Sequence, residues 1–465
     1  MAGEIHDMSA AELVAAFAAR KLSPVEAARA VFARIREANP RVNAFCYTLE
    51  EEALAQARAS EARWRRAAPL GAIDGVPATI KDLADIAGHP TRKGSLSTDA
   101  TPAAEDSPAT ARLRAAGAVL VGKTTTPEFG WAGVTHSPLT GITRNPWDRT
   151  KTSGGSSGGA GAAAALGMGA LHLGSDGGGS IRMPAAFCGV YGLKPTTGRI
   201  AYHPASALLA CTVVGPMTRS VTDAALMMDA CSGPDARDWF AMAGRAPSNL
   251  LGLETGARGL RIAYSPGLFG AEPDAPVAKA VAEAARIFRK LGADVREVGE
   301  MFALPRKSYE IYYVANMARL FRGLSAARQA EIDPGLRAFA EEGLKVTLPE
   351  YQAAMASQAV FGAEVQQALV DVDLILSAPT LLTAFEAGVE VPAGRGMTRW
   401  FDWAPQVYPF NFSTHPAASV PCGFDPDGLP TAFQLVGRKG EEALILRASR
   451  AFERERPFAM PTRAP

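Results

Sequence analysis

A chain of 465 residues that is 48% hydrophobic and 20% charged carries enough apolar content for a large core and is too apolar to stay disordered. Its 48 basic and 47 acidic residues leave a net charge of +1, with no Lys/Arg block, which gives no support for a nucleic-acid or anionic-membrane partner. Five scattered cysteines without a C-x-x-C pair argue against a disulfide framework or a zinc site, and the charged N-terminal segment shows no signal peptide; together these point to a reduced, cytoplasmic protein.

Residues 9–66 read as helices. Ser9 with Glu12 and Ser23 with Glu26 fit capping boxes, the second with Pro24 at the first helical position. From Gly71 the texture changes to alternating strands and helices: a strand over 77–83, a helix over 109–116 and a buried strand from Ala118, the pattern of an α/β sheet. Further on, 260–264 and 293–298 predict strands around a helix over 275–291, and 302–370 predicts helices rich in Ala, Tyr and Phe. Residues 374–380 return to a sheet, 410–423 and 428–437 read as closing strands, and a helix over 441–453 ends the pattern.

The most informative stretch runs from Lys151 to Pro184. It holds two glycine-wrapped serines, Ser156 and Ser180, 24 positions apart. Glycines let backbone approach a ligand closely, and Gly177-Gly178-Gly179-Ser180 can turn several N–H groups toward one spot, as an oxyanion hole requires. The competing reading is a flexible Gly/Ser linker, but residues 160–173 are nearly all small or apolar, and linkers are polar. Lys81 stands in the apolar segment Val76-Pro-Ala-Thr-Ile-Lys-Asp-Leu. Exposed on an edge strand it would be ordinary; desolvated, its pKa falls and it becomes a candidate neutral base. Ser–Lys pairs are one variant of serine-nucleophile catalysis.

Lys81, the Gly-Gly-Ser156-Ser-Gly-Gly loop and Asp176-Gly-Gly-Gly-Ser180-Ile-Arg, in this order and with spacings of 75 and 24, resemble the amidase signature family in its fatty-acid amide hydrolase branch. The resemblance covers about residues 5–455. It implies an α/β fold, a single domain with a large twisted mixed β-sheet flanked by helices on both faces. Within it, 1–70 would be N-terminal helices, 71–230 the catalytic core and 302–370 a variable helical wall of the substrate cleft. It makes Ser180 the nucleophile, Ser156, in a cis peptide, the proton bridge, and Lys81 the ultimate base. Gly177, Gly178, Gly179 and Ser180 would supply oxyanion-hole N–H groups. One departure is Gly177, where many members carry a bulkier residue. Lys123 and Arg182 are implied to be scaffold, with Arg182 bracing the loop.

The family's acyl side implicates Phe129 and Trp131 as pocket lining, against a core-packing alternative, and His415 as a polar contact at the cleft border. The remaining histidines fit no metal pattern, and neither metal nor organic cofactor is expected. The implied activity is hydrolysis of a small-molecule carboxylic amide, with anilides, carbamates or esters in range, no nucleic-acid or membrane partner, and room for a homodimer. Two rivals remain. One is the glutaminase subunit of a tRNA-dependent amidotransferase; that branch typically carries an acidic residue seven positions before Asn411, where this chain has Ala404. The other is a non-catalytic scaffold, whose mark would be loss of Lys81, Ser156 or Ser180; all three are present.

Overall fold

The computed structural model describes residues 4–244 and 246–461; residues 1–3 of the expected N-terminal helical segment lie outside it. Helix α1 (Ala10–Ala18) and helix α2 (Pro24–Val42) both start in capping boxes, on Ser9/Glu12 and Ser23/Glu26. The expected run of helices is interrupted. Asn43 closes α2 in the left-handed conformation (φ 54°), Asn39 Oδ1 accepts the N–H groups of Ala44 and Phe45, and a four-residue strand β1 (Phe45–Thr48) follows. Helix α3 (Glu50–Arg65) and strand β2 (Pro77–Lys81) come next, then α4 (Pro108–Ala115) and β3 (Val119–Thr124). A small hairpin, β4 (His136–Ser137) and β5 (Gly141–Ile142), precedes α5 (Gly158–Ala165), β6 (Leu171–Asp176), α6 (Arg182–Cys188), β7 (Tyr191–Lys194), β8 (Val213–Thr218) and α7 (Val221–Cys231). The second half contributes β9 (Arg261–Tyr264), α8 (Ala275–Lys290) and β10 (Asp294–Glu297). Four helices then run together: α9 (Arg306–Arg322), α10 (Ala326–Glu331), α11 (Pro334–Gly343) and α12 (Leu348–Asp371). Strand β11 (Leu374–Ser377), the short helix α13 (Pro409–Phe412), β12 (Ala417–Phe424), β13 (Pro430–Val436) and α14 (Glu442–Glu455) complete the fold. Residues 410–412, read from sequence as the start of a strand, form α13 instead, with Pro409 at its first turn.

Eleven strands make one mixed sheet in the order β1-β3-β2-β6-β8-β7-β12-β13-β11-β9-β10. Strands β3, β2 and β6 are parallel, as are β11, β9 and β10; the strands between them are antiparallel. Side chains alternate across a strand, and here the alternation divides the molecule. Ala78 and Ile80 of β2, Leu171 and Leu173 of β6, Tyr191 and Leu193 of β7, and Phe433 and Leu435 of β13 pack into one apolar core with α1, α4, α7, α8 and α14. Their strand neighbours on the opposite face are Thr79, Lys81, His172, Asp176, Lys194 and Gln434, all buried. That polar face is covered by α2, α5 and α6 on one side and by the aromatic cluster of α9, α11, α12 and α13 on the other. Among the described residues no helix is long and apolar enough to cross a membrane.

Phe433 joins the apolar face to its helices, with ring centroids 5.7 Å from Phe288 on α8 and 4.7 Å from Phe452 on α14. Phe433→Ala should lower stability by about 3–5 kcal/mol through lost burial and the cavity left behind. Denaturant unfolding followed by fluorescence measures this, and an unchanged midpoint would mean the helices do not depend on that contact.

Candidate active site

Lys81 ends β2 on the polar face of the sheet and is 1% exposed. Its Nζ lies 2.7 Å from Ser156 Oγ and 2.9 Å from Ser157 Oγ. No carboxylate pairs with it among the described residues. Burial drives its pKa well below the ordinary lysine value, while the charge of Asp176 pulls weakly the other way. The sequence reading passed over Ser157 as a partner. Its hydroxyl donates to Ser175 O at 3.1 Å and accepts from Ser175 N–H at 3.2 Å, so toward Lys81 it can only accept.

The two serines are brought together by close backbone approach. The Gly155–Ser156 peptide is cis. A Cβ on Gly155 would stand 2.4 Å from Val134 O, so only glycine fits there. Helix α5, which follows, is buried along its whole length and made of Gly and Ala alone, which lets it lie flat on the sheet. Ser157 N–H donates to Ser180 O at 3.1 Å and ties the two serine segments to each other. Ser156 and Ser180 both line one cleft of about 880 Å³, mouth included. The Ser180 hydroxyl has no hydrogen-bond partner among the described residues.

The loop from Asp176 to Ser180 is held peptide by peptide. Asn411 Nδ2 donates to Asp176 O at 2.9 Å, Tyr309 Oη donates to Gly177 O at 2.7 Å, and Met183 N–H donates to Gly179 O at 2.7 Å. In a planar trans peptide the N–H points opposite to the C=O. Fixing these three carbonyls therefore turns the N–H groups of Gly177, Gly178 and Ser180 the other way, and none of the three has a protein acceptor among the described residues. Gly179 departs from the expectation. At φ +117° its N–H donates to Asp176 Oδ1 at 2.6 Å, and the residue does not line the cleft, so it is withdrawn from the candidate oxyanion donors. A Cβ on Gly177 would meet Leu208 Cδ1 at 2.9 Å and Thr212 Oγ1 at 3.0 Å; the space a larger residue would take is filled from another segment.

Behind the loop lies a buried network. Asp176 Oδ2 accepts from Arg182 Nε at 3.0 Å and Ile181 N–H at 3.1 Å, and its Oδ1 accepts from Asn411 Nδ2 at 2.8 Å. Burial alone would raise this carboxyl; the charge of Arg182 and the donated hydrogen bonds outweigh it and hold Asp176 far below the usual carboxylate range. Arg182, fully buried, also donates to Val407 O at 2.9 Å and to Gln434 Oε1 at 2.7 Å. It braces the loop and does not line the cleft. Lys123 pairs with Asp82 at 2.9 Å, both buried, and is likewise kept from the cleft. Neither Asn411 nor Gln434 could be given a role from the sequence, since each lies more than 200 residues from its partner in the loop.

Phe129 and Trp131 line the cleft, and Trp131 also packs in the core, its ring 5.5 Å from that of Phe339 on α11. Of the aromatic residues between 302 and 412, Tyr313 and Trp400 face the cleft; most of the others belong to the aromatic core around Tyr309 and Phe401. A third wall, Tyr202 to Leu208, carries no periodicity and was not foreseen. His415 is placed elsewhere: it is buried, bonded to Ser413 and Gln366, and does not line the cleft. It sits just before β12, where the chain is already leaving the loop for the sheet, and burial pushes its pKa down to about 3.

The amidase family profile matches residues 26–446. An acylamidase of Rhodococcus erythropolis is 35% identical over 98% of this chain and 97% of its own length. A glutamyl-tRNA(Gln) amidotransferase subunit of Myxococcus xanthus is 35% identical over 98% of both chains. The crystal structure of a bacterial aryl acylamidase of the amidase signature enzymes superposes with a TM-score of 0.90 at 28% identity, covering 98% of each chain.

The buried amine has a cost that depends on pH. Unfolded, Lys81 holds its proton up to about pH 10.4; folded, it releases it at a lower pH. Between the two values the unfolded chain binds more protons, so this residue's penalty is greatest below the folded pKa and fades as pH rises. Lys81→Met should therefore raise the denaturation midpoint at pH 7, with a gain that shrinks toward pH 10; a gain independent of pH would mean that the amine is not neutral in the fold.

Proposed function

The chain belongs to the amidase family, enzymes acting on carbon–nitrogen bonds, and from this premise we propose that it hydrolyses small, largely apolar carboxylic amides, anilides included, through an acyl-enzyme on Ser180. The observation that carries this reading is the contact of a desolvated Lys81 with Ser156 at 2.7 Å, beside a cleft lined by Ser156 and by Ser180, whose hydroxyl has no hydrogen-bond partner among the described residues.

A neutral amine has two N–H groups and one lone pair. Ser157 Oγ accepts one N–H, which turns the lone pair of Lys81 toward the Ser156 hydroxyl. Lys81 takes the proton of Ser156, which takes that of Ser180 as the Ser180 oxygen attacks the carbonyl carbon. The N–H groups of Gly177, Gly178 and Ser180 receive the negative charge that develops on the carbonyl oxygen. Ser156 then delivers a proton to the leaving nitrogen, the C–N bond breaks, and water cleaves the ester with the proton transfers reversed. The apolar character of the substrate is supported by the walls: Leu83, Phe129, Trp131, Met317, Leu320 and Trp400.

A second reading, the glutaminase subunit of a tRNA-dependent amidotransferase, is favoured by the relatives of that name. Against it stands Ala404, apolar and fully buried where that branch has an acidic residue. Hydrolysis of small anilides by the purified chain alone, without added subunits, supports the first reading; activity on glutamine only would support the second.

Two variants test the chemistry. Ser180→Ala should lower kcat by about 10⁴-fold or more with folding intact, and a fluorophosphonate should label Ser180 in the parent; a label mapped to Ser156 or Ser157 would overturn the assignment. Tyr309→Phe frees the Gly177 carbonyl and loosens the peptide that presents the Gly178 N–H. It should lower kcat by about 10- to 100-fold with little change in KM, and a rise in KM at constant kcat would reduce Tyr309 to a wall residue.

A further inference from the structure

Two charged side chains line the cleft, Asp85 and Lys93, and neither is used by the chemistry above. Both are half-buried. Among the described residues neither makes a side-chain hydrogen bond or an ion pair, so the two do not neutralise each other. Asp85 lines the cleft together with Tyr202, whose hydroxyl pKa is raised to about 12 by burial and then by the charge of Asp85. Lys93 lies toward Phe129, whose N–H donates to Lys93 O at 2.7 Å.

The backbone at Lys93 is not that of a casual surface residue. Its φ is +53°, a left-handed conformation that a lysine adopts only at a cost, and such strain concentrates where a side chain must be aimed. The segment is clamped on either side. A Cβ on the following Gly94 would be 2.5 Å from Thr126 O, and Ser95 Oγ donates to the buried Glu128 at 2.5 Å. Glu128 in turn accepts from Asp333 N–H at the start of α11, so hydrogen bonds tie the lysine loop to the Phe129 loop and to the helical wall. An ammonium carried on a segment clamped in this way, beside apolar walls and with no counter-ion among the described residues, is a site for one.

We propose that Lys93 is an anion subsite of the cleft, and that the substrates of this enzyme are apolar amides bearing a carboxylate. This rests on the amide-hydrolase reading and narrows it. Asp85, of opposite sign and out of ion-pair reach of Lys93, repels a carboxylate from its own end and so fixes the direction in which such a substrate lies.

The test uses matched pairs that differ in one charge, with aniline release as the readout. N-phenylsuccinamate against its neutral ketone analogue N-phenyl-4-oxopentanamide places the carboxylate on the acyl half; 4-acetamidobenzoate against 4-acetylacetanilide places it on the amine half. In one pair the anionic member should have a kcat/KM about tenfold higher, the size of one charge-assisted contact. Lys93→Gln should collapse that ratio through KM, Lys93→Arg should retain it, and 0.5 M salt should shrink it. Equal kcat/KM within both pairs, or a ratio unmoved by Lys93→Gln, would overturn the subsite. Binding of the two anions to Ser180→Ala, with and without Lys93→Gln, reads the same contact without turnover. Failure of hydrolysis with lysine-dependent binding therefore overturns only the hydrolase reading, and binding indifferent to Lys93 overturns only the subsite.

Discussion

The loop that presents Ser180 has no regular structure of its own, and one buried carboxylate holds it. Asp176 accepts hydrogen bonds from the backbone N–H groups of Gly179 and Ile181, from Arg182 and from Asn411, with no solvent to share the load. A charge taken out of water is tolerable only when it is paired and its lone pairs are filled. Here the pairing is also what shapes the loop: the acceptor sites that keep Asp176 ionised are filled by the groups that must be turned out of the way for Gly177, Gly178 and Ser180 to face the cleft. Arg182 extends the constraint to Gln434 on β13 and to Val407 O, so the loop is referenced to the far half of the sheet as well as to β6.

The same face of the sheet carries two buried lysines besides Lys81, and their surroundings differ. Lys123 has Asp82 at 2.9 Å. Among the described residues Lys194 has only Pro195 O, at 2.9 Å, as a hydrogen-bond partner; burial, followed by the nearby charge of Arg182, pushes its pKa down to about 7. Lys81 has two hydroxyls and, among the described residues, no paired anion. An anion would keep the ammonium charged, while hydroxyls alone leave desolvation to dominate. The lack of a paired carboxylate at Lys81 among the described residues is what the proposed role of neutral base requires, and the sheet's opposite face packs into an apolar core.

Specificity and chemistry are assigned to different parts of the chain. The proposed proton path and the proposed oxyanion donors come from β2, the two serine segments and the loop that Asp176 holds. The walls come from residues 129–131, 202–208, α9 and Trp400. Tyr313 on α9 donates to Trp131 O and Tyr309 on the same helix donates to Gly177 O, so the helical wall is attached to both the Phe129 loop and the oxyanion loop.

The residues alone determined most of what is local. Capping boxes at Ser9 and Ser23, the strand leading to Lys81 and the small-residue block behind Ser156 rest on composition and spacing within short windows, while the candidate roles of Lys81, Ser156 and Ser180 come from the resemblance of their motifs to the amidase signature family. Four features needed the folded chain. Strand β1 is four residues long at the sheet edge, formed because Asn39 and Asn43 turn the chain, and no periodicity shows in so few positions. The direction of the Gly179 N–H depends on which way one peptide faces, and a carboxylate decides it. His415 stands just before β12 and is bonded to Ser413 and Gln366, away from the cleft. Asn411, Gln434, the 202–208 wall and the unpaired Lys93 owe their positions to contacts between distant segments. Spacing along a chain reports what one element can present; which elements meet, and so which donors are spent and which stay free, is set only when the sheet and its covering helices close over the site.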